Sequence, residues 1–178
     1  MKLRSFGLSF LLLLISFVSA AQTRPDKADV YFGYSRVGAN LYSVYTPGMN
    51  GWQLAVHIKP FRFVGVEGDV SHYSQSLSGF TQQVTLGMFG PRVTVGVKGF
   101  TVFAHGLGGI AHENATVTIY PAVGYDATSY ALGGGADVPL SHGFKLRMTG
   151  DYLGNSKAPD TSYSPSHFRA GVGISYHF

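Results

Sequence analysis

The chain has 178 residues, with 13 Lys and Arg against 9 Asp and Glu, and only 12% of its residues are charged. That is about half the charge of an ordinary soluble domain, and the small, dispersed basic excess excludes a nucleic-acid footprint. No cysteine is present, which excludes a disulfide framework and any Cys-ligated metal site.

Lys2 and Arg4 precede an apolar run from Phe6 to Val18, followed by the small residues Ser19, Ala20 and Ala21. This basic, apolar and small-residue order predicts a cleavable secretory signal peptide over residues 1–21; the run is short for a membrane span. Without Lys2 and Arg4, 11 basic residues face 9 acidic ones. Residues 22–178 then form one domain. No later segment has 18 consecutive apolar residues, so spanning helices are excluded. An exported, apolar chain without them has the closed β-barrel as its solution in lipid.

Alternation with a period of two marks strands with one apolar and one polar or small face. Val30–Val37 reads as the first. Trp52–Lys59 sets Trp52, Leu54, Val56 and Ile58 against Gln53, Ala55, His57 and Lys59. After the turn Lys59-Pro60-Phe61-Arg62, Phe63–Tyr73 sets Val64, Val66 and Val70 against Glu67, Asp69 and Ser71. Gln83–Val95 is the fourth, with Phe89, Val93 and Val95 opposite Arg92 and Thr94. Pro91 lies inside it, where a proline normally demotes a strand or marks a bulge.

Past the turn at Val97-Lys98-Gly99, Thr101–Ala111 is so rich in Ala and Gly that its faces are ambiguous. Thr128–Val138 and the turn Pro139–Gly143 follow. Phe144–Leu153 sets Phe144, Leu146, Met148 and Tyr152 against Lys145, Arg147, Thr149 and Asp151. His167–Phe178 alternates throughout, with Phe168, Ala170, Val172, Ile174, Tyr176 and Phe178 on one face, and it ends on an aromatic. The count is eight, the smallest size bacterial barrels use.

Connections alternate in length. Those after strands two, four and six are tight; those after one, three, five and seven are long: Gly38–Gly51, Ser74–Gln82, His112–Ala127 and Gly154–Ser166. Short turns at one end and long loops at the other belong to outer-membrane barrels, with both termini on the periplasmic, short-turn side. The fold expected is therefore all-β: an eight-stranded antiparallel up-and-down transmembrane β-barrel.

Alternation sends Glu67, Asp69, Arg92, Asp137, Arg147, Asp151 and Arg169 into the lumen as a polar network, because a basic group facing lipid at mid-membrane costs about 2–4 kcal/mol. Eight strands leave an interior just filled by side chains. Depth counted from the turns pairs Glu67 with Arg92 and Asp151 with Arg169. The opposite arrangement, charges outside and an apolar interior, would mark a soluble barrel of lipocalin type.

The seven histidines are scattered without metal-ligand spacing, so no metal and no cofactor is assigned. His72 and Ser74 stand two apart on one face, but no third group orients them, and the Asn- and Ser-rich context of the lipid A deacylases is missing. No catalytic residue is assigned. Tyr42, Tyr45, Met49, Phe80, Tyr120, Tyr125 and Tyr163 fall in the long loops, whose few charges are Glu113, Asp126, Lys157 and Asp160. Aromatic, weakly charged loops suit protein or glycan contact.

The eight strands and the signal sequence, together with Gly87-Met88-Phe89-Gly90-Pro91-Arg92, Gly133-Gly134-Gly135-Ala136-Asp137-Val138-Pro139-Leu140 and Gly173-Ile174-Ser175-Tyr176-His177-Phe178, resemble the OmpA/OmpX-like outer-membrane β-barrel family over Val30–Phe178. That resemblance implies a C-terminal assembly signal at Gly173, Tyr176 and Phe178, recognised by the barrel-assembly machinery, although Gly171 stands where the family has a polar residue. It implies a monomer embedded in outer-membrane lipid. It does not imply one activity, since such barrels include adhesins, resistance factors, enzymes and anchors. The expectation is a non-enzymatic barrel with a structural or adhesive role; the alternatives are a lipid-acting enzyme and a narrow ion-permeable barrel.

Overall fold

The computed structural model describes residues 28–38, 48–77, 80–117, 120–155 and 166–178. They form β1 (Ala28–Val37), β2 (Met49–Ile58), β3 (Val64–Leu77), β4 (Phe80–Val97), β5 (Phe100–Val117), β6 (Tyr120–Pro139), β7 (Phe144–Asn155) and β8 (Ser166–His177). Each strand pairs antiparallel with the next and β8 returns to β1, so the sheet closes as an up-and-down barrel. The expected signal peptide lies outside the described residues, as do Tyr42, Tyr45, Lys157, Asp160 and Tyr163.

Closure fixes the stagger. Stepping across the registers from Ala28 leads through Ile58, Val66 and Pro91 to β5, then through Leu132, Tyr152 and Phe168. Phe168 meets β1 again at Gly38, whose N–H donates to its carbonyl at 2.7 Å. The circuit has climbed ten residues along β1, which is the shear that tilts the strands and sets the barrel's width.

The period-two pattern becomes two chemically opposite surfaces. Phe32, Trp52, Val66, Phe89, Ile110, Leu132, Met148, Phe168, Val172 and Ile174 are exposed on the outside. Glu67, Asp69, Arg92, Asp137, Arg147, Asp151 and Arg169 are buried inside, none more than 2% exposed. Charges within and hydrocarbon without is the inverse of a lipocalin-type barrel, and it suits an apolar solvent around the wall.

Several boundaries need correction. The segments Ser74–Gln82 and His112–Ala127, expected as long loops, are mostly strand. Pairing of β3 with β4 continues through Gln75↔Gln82 and Ser76↔Thr81 to Leu77↔Phe80, and β5 pairs with β6 through His112↔Asp126 and Asn114↔Gly124. Phe80, Tyr120 and Tyr125 are accordingly strand residues, and so is Met49, because β2 begins three residues before Trp52. On β3, β4 and β5 these ends carry polar residues on both faces, among them Ser74, Gln75, Thr81, Gln82, Glu113 and Asn114, so alternation is lost there although backbone pairing persists.

Pro91 does not produce the expected bulge. It pairs with Val66 of β3, and the β4–β5 register is the same on both sides, Phe89↔Gly108 and Arg92↔His105. The neighbouring Gly90 lets the two backbones approach where the proline lacks its N–H: a Cβ at Gly90 would collide with the Gly106 carbonyl oxygen.

Candidate functional site

The lumen holds nearly all the buried polar chemistry of the described residues. Arg92 on β4 donates to Glu67 Oε2 on β3 at 2.9 Å and lies 3.7 Å from Asp29 and 3.6 Å from Asp137. Its guanidinium carbon sits 3.6 Å from the centre of the Phe103 ring, so the cation is stacked as well as paired. Arg147 on β7 donates from Nε and Nη2 to the two oxygens of Asp137, at 2.6 and 2.8 Å, and from Nη2 to Asp29 at 2.7 Å. The Asp137 contact is the two-point fork that suits guanidinium to carboxylate.

A second tier lies beside the first. Arg169 on β8 donates to Asp151 at 2.6 Å, to Asp69 at 2.9 Å and to the Ser71 hydroxyl at 3.2 Å. Gln53 Nε2 donates to the other Asp69 oxygen at 2.5 Å. His105 joins the tiers: Nδ1 lies 3.1 Å from Glu67 and Nε2 2.8 Å from Asp151. Gly133 stands between His105 and Asp151 in the sheet. A Cβ there would strike Asp151 Oδ1, so this glycine clears the path by which the carboxylate reaches over β6 to His105.

All seven residues expected in the lumen therefore meet in one array, including the pairs Glu67–Arg92 and Asp151–Arg169. The sequence reading missed Asp29, Gln53, His57 and His105. Asp29 continues the inward set of Tyr31 and Ser35 but lies one position before the expected strand; His57 Nδ1 is 2.8 Å from it. His105 was hidden by the Ala and Gly of β5. Its inward face was nonetheless readable from Phe103, His105 and Leu107, the bulky residues of one parity, all buried. With these included, five carboxylates face three guanidiniums and two imidazoles among the described residues, and each carboxylate has a donor beside it.

Toward the long-connection end the lumen changes character. Val37, Tyr73, Val84, Leu86, Met88, Leu107, Ala111, Ala131 and Leu153 pack into one apolar cluster. This layer lies beyond the polar lumen network that alternation predicts. Above it, Ser129 donates to Asn155 at 2.9 Å and Asn155 to Glu113 at 3.5 Å. The interior thus stacks a charged layer under an apolar one, and neither leaves an open bore: Arg92, Arg147, Arg169, Tyr31 and Tyr73 are fully buried.

His72 and Ser74 do not form a pair. The His72 ring faces outward, with Nδ1 2.9 Å from the Thr85 hydroxyl and its plane against Trp52. Among the described residues no group of three His, Cys, Asp or Glu side chains is arranged to hold a metal ion. At the closing strand Tyr176 packs between Phe144 and Phe178, with ring centres 4.8 and 4.9 Å away, and Gly173 sits directly opposite Gly33 of β1.

No protein-family model and no curated protein sequence matches the chain. Solved structures do. Ail, the attachment invasion locus protein of Yersinia pestis, aligns over 87% of this chain and 100% of its own with a TM-score of 0.60 and 19% identity. Neisserial surface protein A aligns over 85% and 96% with a TM-score of 0.61 and 8% identity. OprG from Pseudomonas aeruginosa aligns over 87% and 97% with a TM-score of 0.60 and 10% identity. The chain has the outer-membrane barrel fold. At these identities the likeness is one of architecture, an eight-stranded closed barrel. Ail has also been solved in complex with the heparin analogue sucrose octasulfate.

Proposed function

We propose that this protein is a small, non-enzymatic outer-membrane barrel that acts as a monomeric anchor and presents its long connections to a protein or glycan ligand at the cell surface. The observation that carries this reading is the doubly closed lumen, an ion-paired charged layer beneath an apolar one. Such an interior offers no solute path through the barrel, so interaction is left to the wall and the ends. The exposed aliphatic and aromatic exterior supports a place in outer-membrane lipid, and the shared fold supports the same compartment.

In this reading residues 1–21 direct export, both termini lie on the periplasmic side, and Gly173, Tyr176 and Phe178 present the closing strand to the barrel-assembly machinery. The ligand chemistry follows from the hairpin ends. Between Ser74 and Arg92, and again between Gly99 and Phe144, no Lys or Arg occurs, whereas Glu113 and Asp126 do. Asp126 is exposed beside His112, 2.5 Å away. A heparin-like polyanion of the kind seen with Ail would be repelled there; a protein or uncharged glycan would not.

Cell fractionation combined with surface proteolysis of an epitope-tagged chain tests location and orientation together. Outer-membrane recovery, with cleavage at the long connections of intact cells, is the expected result. Recovery in the soluble periplasmic fraction would overturn it. Binding of expressing cells to immobilised proteins or neutral glycans but not to heparin is expected, and heparin-selective binding would overturn the ligand class.

A further inference from the structure

The short-turn mouth of the barrel contains a polar cavity of about 140 Å³ that opens to one side. Its floor is the charged layer, reached at Asp29, Arg92 and Asp137. The two carboxylates are already engaged by Arg147 at 2.6 to 2.8 Å. Its walls include Lys59 and Lys145, the inward residues at the ends of β2 and β7, together with Thr94 and Thr101. Both lysines are half-buried, and neither forms an ion pair with a described residue. They are ammonium groups at a cavity wall whose two lining carboxylates, Asp29 and Asp137, are held by Arg147 instead.

The floor has unused donors as well. Arg92 is 1% exposed, yet its Nε bonds to no described atom, and the buried Thr94 hydroxyl is likewise unpartnered. Buried polar atoms are nearly always satisfied, by protein, solvent or ligand. Here the buried atoms without a partner around one space are the Arg92 Nε–H, the Thr94 hydroxyl and His57 Nε2, and the two half-buried ammonium groups stand beside them. Charged donors converging in this way suit an oxyanion; they oppose a cation and offer nothing to an apolar ligand. The space exceeds the roughly 30 Å³ share of a single liquid water several-fold, enough for a tetrahedral anion with a water beside it. The open side leaves room for a substituent to trail out.

We propose that this vestibule binds a phosphate group, either as free phosphate or as the headgroup of a lipid in the adjoining leaflet. Lys59 and Lys145 grip it from the walls, with Thr94 and the Arg92 Nε–H beneath. The site is independent of the ligand proposed for the long connections at the opposite end.

The test uses the protein folded in nonionic detergent micelles and titrated with inorganic phosphate at constant ionic strength, followed by ³¹P NMR. Saturable binding is expected for the native sequence. The double variant Lys59→Gln with Lys145→Gln should bind at least tenfold more weakly, and Thr94→Val several-fold more weakly. Lys98→Gln, on the same end but outside the cavity, should leave binding unchanged. Heat-modifiable migration establishes that each variant is folded. A second arm places the protein in phosphatidylcholine nanodiscs containing a few phosphatidylglycerol molecules and no free phosphate. A shifted phosphatidylglycerol resonance that the double variant abolishes identifies the lipid as the source; binding in the first arm alone identifies free phosphate. No saturable response in either arm, or equal weakening by Lys98→Gln and the double variant, overturns the proposal.

Discussion

Replacing Arg92 by alanine should be among the most damaging single changes to this barrel. The guanidinium is 1% exposed, donates to Glu67 at 2.9 Å, lies within 3.7 Å of Asp29 and Asp137 and stacks on Phe103 at 3.6 Å. Its removal deprives Glu67 of a cation where no bulk water replaces it. Breaking a buried pair from one side typically costs about 3–5 kcal/mol. With a urea dependence of about 1–3 kcal/mol per molar, the unfolding midpoint should fall by about 2 M. Lys98 on the exposed β4–β5 turn is the control, since losing a solvated surface charge costs less than about 1 kcal/mol. The assay is urea unfolding of barrels refolded into detergent micelles, followed by electrophoretic mobility and tryptophan fluorescence. Pairing Arg92→Met with Glu67→Gln should recover much of the loss, because removing both charges leaves neither stranded. Equal midpoints for Arg92→Ala and Lys98→Ala would refute the reasoning, as would a double variant no better than Arg92→Ala alone.

Three other outcomes are expected. Changing Tyr176 and Phe178 together to alanine should lower the membrane-inserted, heat-modifiable yield more than shortening any long connection, because the aromatic closing strand must be recognised and must seal against β1; equal yields would remove that role. Gly133→Val should destabilise the barrel by about 1–3 kcal/mol, the usual cost of overpacking, since its Cβ would strike Asp151 Oδ1; an unchanged urea midpoint would show that Asp151 does not need that path. The purified protein in planar bilayers should give no discrete conductance of porin size, because an eight-stranded interior is just filled by its side chains; reproducible large channels would contradict the closed lumen.

The facing of most strands was legible from alternation alone. Val64, Val66 and Val70 against Glu67, Asp69 and Ser71 leave one arrangement that keeps charge out of lipid, and the same reasoning turned Arg92, Arg147 and Arg169 inward. Strand number and hairpin order followed, because neighbouring strands in an up-and-down barrel are neighbours in sequence. These are local properties, carried by residues two apart.

What the tertiary structure decided is everything that depends on closure. The ten-residue stagger brings Arg147 of β7 to Asp29 of β1 and lets His105 of β5 touch both Glu67 of β3 and Asp151 of β7, contacts between strands far apart in the chain. Strand length at the long-connection end was also decided there. Ser76, Thr81 and Asn114 show no apolar face, yet their backbones pair because the hairpins below hold them in register. The apolar layer of Leu86, Met88, Leu107 and Leu153 has the same origin: a large residue on either face of an alternating strand looks alike in sequence, and only the closed wall determines which ones meet inside. Pattern along a strand reports its two faces, whereas contact across the lumen requires the shear that joins the last strand to the first.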